Sequence, residues 1–280
     1  GLALCLGLLP VTALAAEGAP SSLYVGNQQV ISGNDITYWT TDESTGGLTK
    51  YEGNNDNWNV KYDPSTVTLS LQNAKISGGN ATTSPPYGAG IYALSSSGQP
   101  VALTIELIGE NTITGTFGIY VNATTPGTDA SLVIKKSGDN GSLTVTGTDS
   151  YGLYIASGTG NASLTIKNVS VVANATSSHS GSGVCVQSGA SATDSPNISL
   201  SVNGGNLTAS GTGSSDGILF YVGSSQATGA TTRLTVSENA IVDARNGGIK
   251  ALKISETLPT PTPTGNNSSG IVFDRTEGTV

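Results

Sequence analysis
Charge is scarce in this chain. Only 11% of its 280 residues are Asp, Glu, Lys or Arg, aromatics make up 5%, and there is one histidine and no methionine. Ordinary disorder combines low hydropathy with high net charge, so this composition argues against it. The cations do not cluster: only Lys135-Lys136 places two side by side. Nucleic-acid binding needs Lys and Arg gathered against phosphates, and is set aside. Apart from the first residues there is no long apolar run, so no membrane span is expected in the mature chain. Cysteine is nearly absent, with Cys5 and Cys185 alone. Leu and Ala are too few for a conventional three-layer domain. Gly, Ser, Thr and Asn take their place, with 38 glycines, a mixture that suits short strands joined by turns.

Residues 1–15 read as a signal peptide that is already under way at Gly1. Gly1 to Leu9 is almost wholly apolar, and Ala13-Leu14-Ala15 has the small-x-small form of a cleavage site. Export to the outside of a bacterial cell, secreted or surface-held, is the expected localisation. Cleavage would leave Cys185 alone, without a disulfide partner.

One motif recurs. Gly90-Ile91-Tyr92, Gly118-Ile119-Tyr120, Gly152-Leu153-Tyr154, Gly183-Val184-Cys185, Gly217-Ile218-Leu219, Gly248-Ile249-Lys250 and Gly270-Ile271-Val272 follow at spacings of 28, 34, 31, 34, 31 and 22 residues. A near-fixed period of this length marks a stacked repeat. Two further strand-like parts precede each copy. The first alternates apolar and hydroxyl residues, as in Val67 to Leu71, Leu103 to Leu107, Leu164-Thr165-Ile166 and Leu234-Thr235-Val236. The second includes Asn111 to Thr114, Leu143 to Thr146 and Leu207-Thr208-Ala209. Alternation with period two is that of a strand with one buried face.

Three short strands per unit and no helix exclude ankyrin, leucine-rich and helical repeats, and a propeller blade needs four antiparallel strands. The expected fold is all-β: a right-handed single-stranded parallel β-helix of six to seven coils, its strands stacked in three sheets. Residues 16–64 hold both tryptophans, Trp39 and Trp58, and are expected to form an N-terminal cap and irregular first coil, since a stacked array must cover its apolar end. Residues 65–280 form the helix, expected to continue beyond the sequence as one monomeric module of a longer protein. The Pro/Thr run from Leu258 to Thr264 is a surface loop, after which Gly270 to Phe273 resumes the third strand. Asn73, Asn111, Asn168 and Asn239 occupy similar turns and are expected to stack as an amide ladder.

Trp58 to Asp63 leading into Thr66 to Ile76, followed by the Leu-Thr-Ile and Gly-Ile-Tyr units, resembles the carbohydrate-binding-type, pectate-lyase-like β-helix modules of large secreted proteins from gut Firmicutes. The resemblance covers roughly residues 22–280. It implies a carbohydrate-binding or adhesin-like role, with a polysaccharide or a host or cell-wall glycan as partner.

If Ile119 and Val121 point inward, Tyr120 points outward, and so do Tyr92 and Tyr154 one coil to either side. Such a row, exposed, would suit sugar rings, each with an apolar face and a polar rim. The alternative is that the tyrosines stack on one another under the loops. Catalysis by a lyase or hydrolase acting on acidic glycans would need convergent groups. Asp149, Asp216, Asp243, Arg233 and Arg245 fall at different coil positions, and His179 sits in a Ser/Gly loop. The function expected is therefore non-catalytic binding, with an enzyme or a purely structural stalk as alternatives. No cofactor is expected. Calcium would have to use scattered loop oxygens, and Gly138 to Gly141 reads as a tight turn.

Overall fold
The computed structural model describes residues 16–252, apart from 54–55, 80–82, 177–180, 214, 225, 228 and 245, together with the strand segments 272–275 and 278–279. The expected residues 1–15 leader, His179, Arg245 and the Pro/Thr run lie outside them.

The fold is the expected all-β parallel solenoid; its six stacked third strands span about five turns, so the coil count differs only slightly from the six to seven expected. Five strands precede it: β1 (Ser22–Val25), β2 (Gln28–Gln29), β3 (Thr37–Thr41), β4 (Leu48–Lys50) and β5 (Val60–Asp63). The first coil is β6 (Thr68–Gln72), β7 (Lys75–Ser77) and β8 (Ile91–Ser95). In the next four coils the first and second parts run together as one long bent strand. These pairs are β9 (Val101–Gly115) with β10 (Ile119–Ala123), β11 (Ala130–Gly147) with β12 (Leu153–Ser157), β13 (Ala162–Ala175) with β14 (Val184–Ser188), and β15 (Asn197–Ser210) with β16 (Ile218–Val222). A further coil has β17 (Thr231–Ser237), β18 (Ala240–Asp243) and β19 (Ile249–Leu252), followed by β20 (Val272–Arg275) and β21 (Gly278–Thr279).

The strands therefore form two hydrogen-bonded sheets rather than three. One stacks the third strands, β8 through β19; the other stacks the bent strands. The bend between first and second parts takes only one or two residues in β9, β13 and β15, so the ladder barely breaks there, whereas in β11 the register shifts across Lys136 to Gly141. Asn73 and Asn168 make that bend in the left-handed conformation, at φ 46° and 52°, while the neighbouring coils use Gly109 and Gly204, at φ 66° and 69°. The expected ladder of four asparagines does not form. In two pairs of neighbouring coils Asn is followed by Gly instead, because the Asn73 and Asn168 side chains occupy the space where a Cβ on Gly109 or Gly204 would sit. Asn111 turns into the interior. It accepts from the Ala74 amide at 2.8 Å and donates to the Ile108 and Ser142 carbonyls at 3.2 and 3.3 Å. Side-chain bonds do climb a different corner: Asp129 accepts from Asn161 at 2.8 and 3.1 Å, and Asn161 accepts from the Asn197 amide at 2.7 Å.

Register follows the repeat. Ile91, Ile119 and Leu153 pair in line, as do Tyr92, Tyr120 and Tyr154. Inward residues form a continuous column of Leu, Ile, Val and Ala in which Ile119, Val121, Leu153 and Ile155 are fully buried. Each such side chain contributes about 1.5–3 kcal/mol by leaving water. The last motif departs from expectation. Val272 and Phe273 pair with Arg233 and Leu234 of β17, so this segment is a first strand and not a third. The chain has just made its third strand at β19, and the 22-residue spacing is too short for another coil.

At the N-terminal end, antiparallel strands lie against both sheets. β1 pairs with β8, and β5 pairs with β6. Leu23, Val25, Val60 and Tyr62 extend the core there, and Tyr38 packs against Trp58 with ring centroids 6.2 Å apart. No helix among the described residues is long and apolar enough to cross a membrane.

Candidate functional site: an aromatic groove on the third-strand face
Each third strand begins at a glycine whose role is steric. A Cβ on Gly118 would come within 3 Å of Val145 and the Gly152 carbonyl, and one on Gly152 would lie 2.6 Å from the Gly183 carbonyl. Backbone bonds climb the same corner: Ile119 N to Gly152 O at 2.9 Å and Leu153 N to Gly183 O at 2.9 Å. The glycine row thus brings successive coils close and places the next two residues inward and outward by strand alternation.

The outward row is Tyr92, Tyr120, Tyr154, Cys185, Leu219 and Lys250. Its register is as expected; its exposure is not. Tyr92 is 1% exposed. The antiparallel β1 sets Tyr24 beside it, and Tyr87 packs across it at 5.7 Å and 83°. Tyr120 and Tyr154 are half-buried, and Cys185 and Leu219 are buried.

The rings stack on one another. Tyr120 and Tyr154 lie 4.6 Å apart at 20°, and Tyr92 and Tyr120 lie 5.0 Å apart at 51°. Residues just before the corner glycines complete the cluster. Phe117 stacks on Tyr120 at 4.9 Å and on Tyr154 at 5.7 Å, and Tyr151 lies 4.7 Å from Tyr154. These loop aromatics were missed as partners of the row. Their signal was legible: in Phe117-Gly118-Ile119-Tyr120 and Tyr151-Gly152-Leu153-Tyr154 an aromatic precedes the glycine and another follows it.

Polar ends of the cluster are satisfied locally. Tyr154 donates to Gln187 Oε1 at 2.8 Å, and Asn122 Nδ2 donates to the Tyr92 hydroxyl at 3.4 Å. Burial pushes the Tyr120, Tyr151 and Tyr154 phenols well above their ordinary range and raises that of Tyr92. It also pushes up the Cys185 thiol, with the Tyr151 hydroxyl beside it opposing the shift. A thiol so held is a poor nucleophile. With Cys5 replaced by serine, Cys185 should resist a water-soluble disulfide reagent in the native protein and react at once in denaturant. Rapid native labelling would show that this face opens.

On this face the cluster borders a groove of about 490 Å³. Tyr87, Phe117 and Tyr120 supply its apolar wall, and Asn122, Asp149, Ser150 and Thr116 its polar groups. They come from the loops and strands of three successive coils, so at 4.8 Å per coil the groove runs about 10 Å along the axis. Tyr154 stands behind Phe117 and does not line it. A second groove, of about 510 Å³, lies at the opposite corner, where Lys136 to Gly141 projects from β11 beside Asn73, Glu110 and Asn168.

The other sequence candidates among the described residues are spread over different coils and both sheets. Asp149 is exposed on the loop before Gly152, whereas Asp216 is half-buried before Gly217, two coils further on. Burial raises the Asp216 carboxyl, and Lys250 opposes the shift. Asp243 and Arg233 lie on β18 and β17, in the other sheet. Among the described residues no three His, Cys, Asp or Glu side chains gather as a metal site.

No protein-family model, curated protein or solved structure matches this chain.

Proposed function
We propose that this chain is a non-catalytic, carbohydrate-binding and adhesin-like β-helix module of a secreted or cell-surface bacterial protein, of the pectate-lyase-like kind it resembles. The observation that carries this reading is the groove of Tyr87, Phe117, Tyr120 and Asn122. Partly exposed aromatic rings beside amide, hydroxyl and carboxylate groups match the two faces of a sugar. The contact thus moves from the expected row of Tyr92, Tyr120 and Tyr154 to Tyr120 and its loop neighbours. An open groove along the axis also suits a polymer, on which weak contacts by several modules add through effective concentration.

The test is retention on immobilised polysaccharides. The native protein should be held, and Tyr87→Asn combined with Asn122→Ala should pass through. Both positions are half-buried and outside the core column, so the double variant should keep its far-ultraviolet spectrum. Equal retention of the two proteins overturns the site, and no retention on any polymer leaves a stalk. New reducing ends or unsaturated products from the same polymers would replace binding with catalysis.

A further inference from the structure
We infer that the groove selects uncharged sugar chains and turns acidic ones away. This rests on the carbohydrate reading above and narrows it. Three observations carry it.

First, the described groove lining contains a carboxylate, Asp149, and neither lysine nor arginine. A polyuronate or sulfated chain is recognised through cations, most strongly in bidentate pairs with arginine. Here the described lining offers an approaching carboxylate no cation to pair with. The whole chain adds to this, with 19 acidic and 11 basic residues and a net charge of −8. Lys135 lies on β11 in the other sheet, paired with Glu106 at 3.0 Å.

Second, the polar groups present are those that read hydroxyls. Asp149 is exposed on the rim, and a carboxylate has several acceptor positions for hydroxyls. The Asn122 amide spends one hydrogen on Tyr92, and an amide has a second donor and an acceptor besides. Ser150 and Thr116 bring hydroxyls. Against them Phe117, stacked within 29° of Tyr120, offers a surface with no polar atom at all, fit for the C–H face of a pyranose.

Third, Tyr87 holds an unfavourable backbone conformation. Its φ is 55°, in the left-handed region that bulky residues avoid. Ser84 accepts its amide at 2.9 Å, and Pro86 accepts that of Ala89 at 3.0 Å. Asn or Gly would occupy this turn with less strain. Strain of this kind clusters at ligand clamps and active sites, and here it sets an aromatic ring in the wall of the groove.

The experiment is calorimetric titration with defined oligosaccharides: cellohexaose, xylohexaose and mannohexaose as neutral probes and hexagalacturonate as the acidic one. At least one neutral probe should bind at least tenfold more tightly than hexagalacturonate. Tyr87→Asn should weaken that binding at least tenfold with an unchanged or raised melting temperature, and Asp149→Asn should also weaken it. Asp149→Lys should reverse the preference. Hexagalacturonate binding as tightly as the neutral sugars, or more tightly, overturns the selectivity and leaves the carbohydrate reading standing. Neutral binding that ignores both Tyr87→Asn and Asp149→Asn overturns the assignment to this groove. Binding of none of the four overturns the selectivity and the carbohydrate reading together.

Discussion

Gly118→Ala is expected to cost about 3 kcal/mol and to loosen the solenoid over at least two coils. The new methyl would collide with Val145 in the core and with the Gly152 carbonyl of the next coil. Neither can retreat alone. Val145 is buried, and the Gly152 carbonyl accepts from Ile119 at 2.9 Å in the ladder that spaces the coils. Overpacking where backbone must move falls at the upper end of the usual 1–3 kcal/mol range. The measurement is urea unfolding followed by far-ultraviolet dichroism, with hydrogen exchange reporting on β10 and β12. In an array whose units touch only their neighbours, damage should spread outward from that corner. Gly98→Asn is the control. Gly98 also has a positive φ, 75°, but a Cβ there meets nothing within 4 Å, and Asn tolerates that conformation. It should leave the midpoint nearly in place. A wild-type midpoint for Gly118→Ala would refute the steric account of the whole glycine row.

Alkali is expected to unfold the protein in one steep step. Five of the ten tyrosines, Tyr62, Tyr92, Tyr120, Tyr151 and Tyr154, are held neutral chiefly by burial, and Tyr62 is pushed up to about 12. In the unfolded chain tyrosine ionises near pH 10. Below that pH both states keep their protons and stability is unaffected. Above it the unfolded chain releases protons that the folded chain retains, so the unfolded state binds fewer and stability falls as pH rises. Each retained proton contributes up to about 1.4 kcal/mol per pH unit, and the half-buried rings contribute less than this limit. Several acting together exhaust a stability of ordinary size within one to two units above pH 10. Phenolate absorbance should therefore rise together with the loss of far-ultraviolet signal. Full ionisation near pH 10 with the strands intact would show that the aromatic cluster is open to solvent.

The same cluster marks where local pattern stops being informative. Alternation placed Tyr92 outward, and register agrees, yet Tyr92 is covered by Tyr87 and by a strand bearing Tyr24, 68 residues earlier. Nothing in Ser22 to Val25 announces antiparallel pairing onto the first coil, because a four-residue strand can join either edge of a sheet in either sense. The merging of first and second parts into one bent strand was hidden for a related reason. An Asn or Gly at a positive φ looks the same in sequence whether it ends a strand or only turns it. Val272-Phe273 was assigned by its residues to the third strand and belongs to the first by order: after β19, a first strand is the next side of the coil.

The coil was legible because its determinants are local. A strand alternates inward and outward with period two, a corner without room for a Cβ demands glycine, and the two recur every 28 to 34 residues through the clearest part of the array. Gly118, Ile119 and Val121 needed no neighbours to be read as corner and core. What an outward residue meets is not local. Tyr120 became part of a groove because Phe117 precedes its glycine, Tyr87 leans in from the coil before and Asp149 from the coil after. Tyr92, at the same position of the repeat, was buried by the cap. Side-chain direction is set by the strand it belongs to, while exposure is set by whatever packs over it, and only the tertiary structure brings those pieces together.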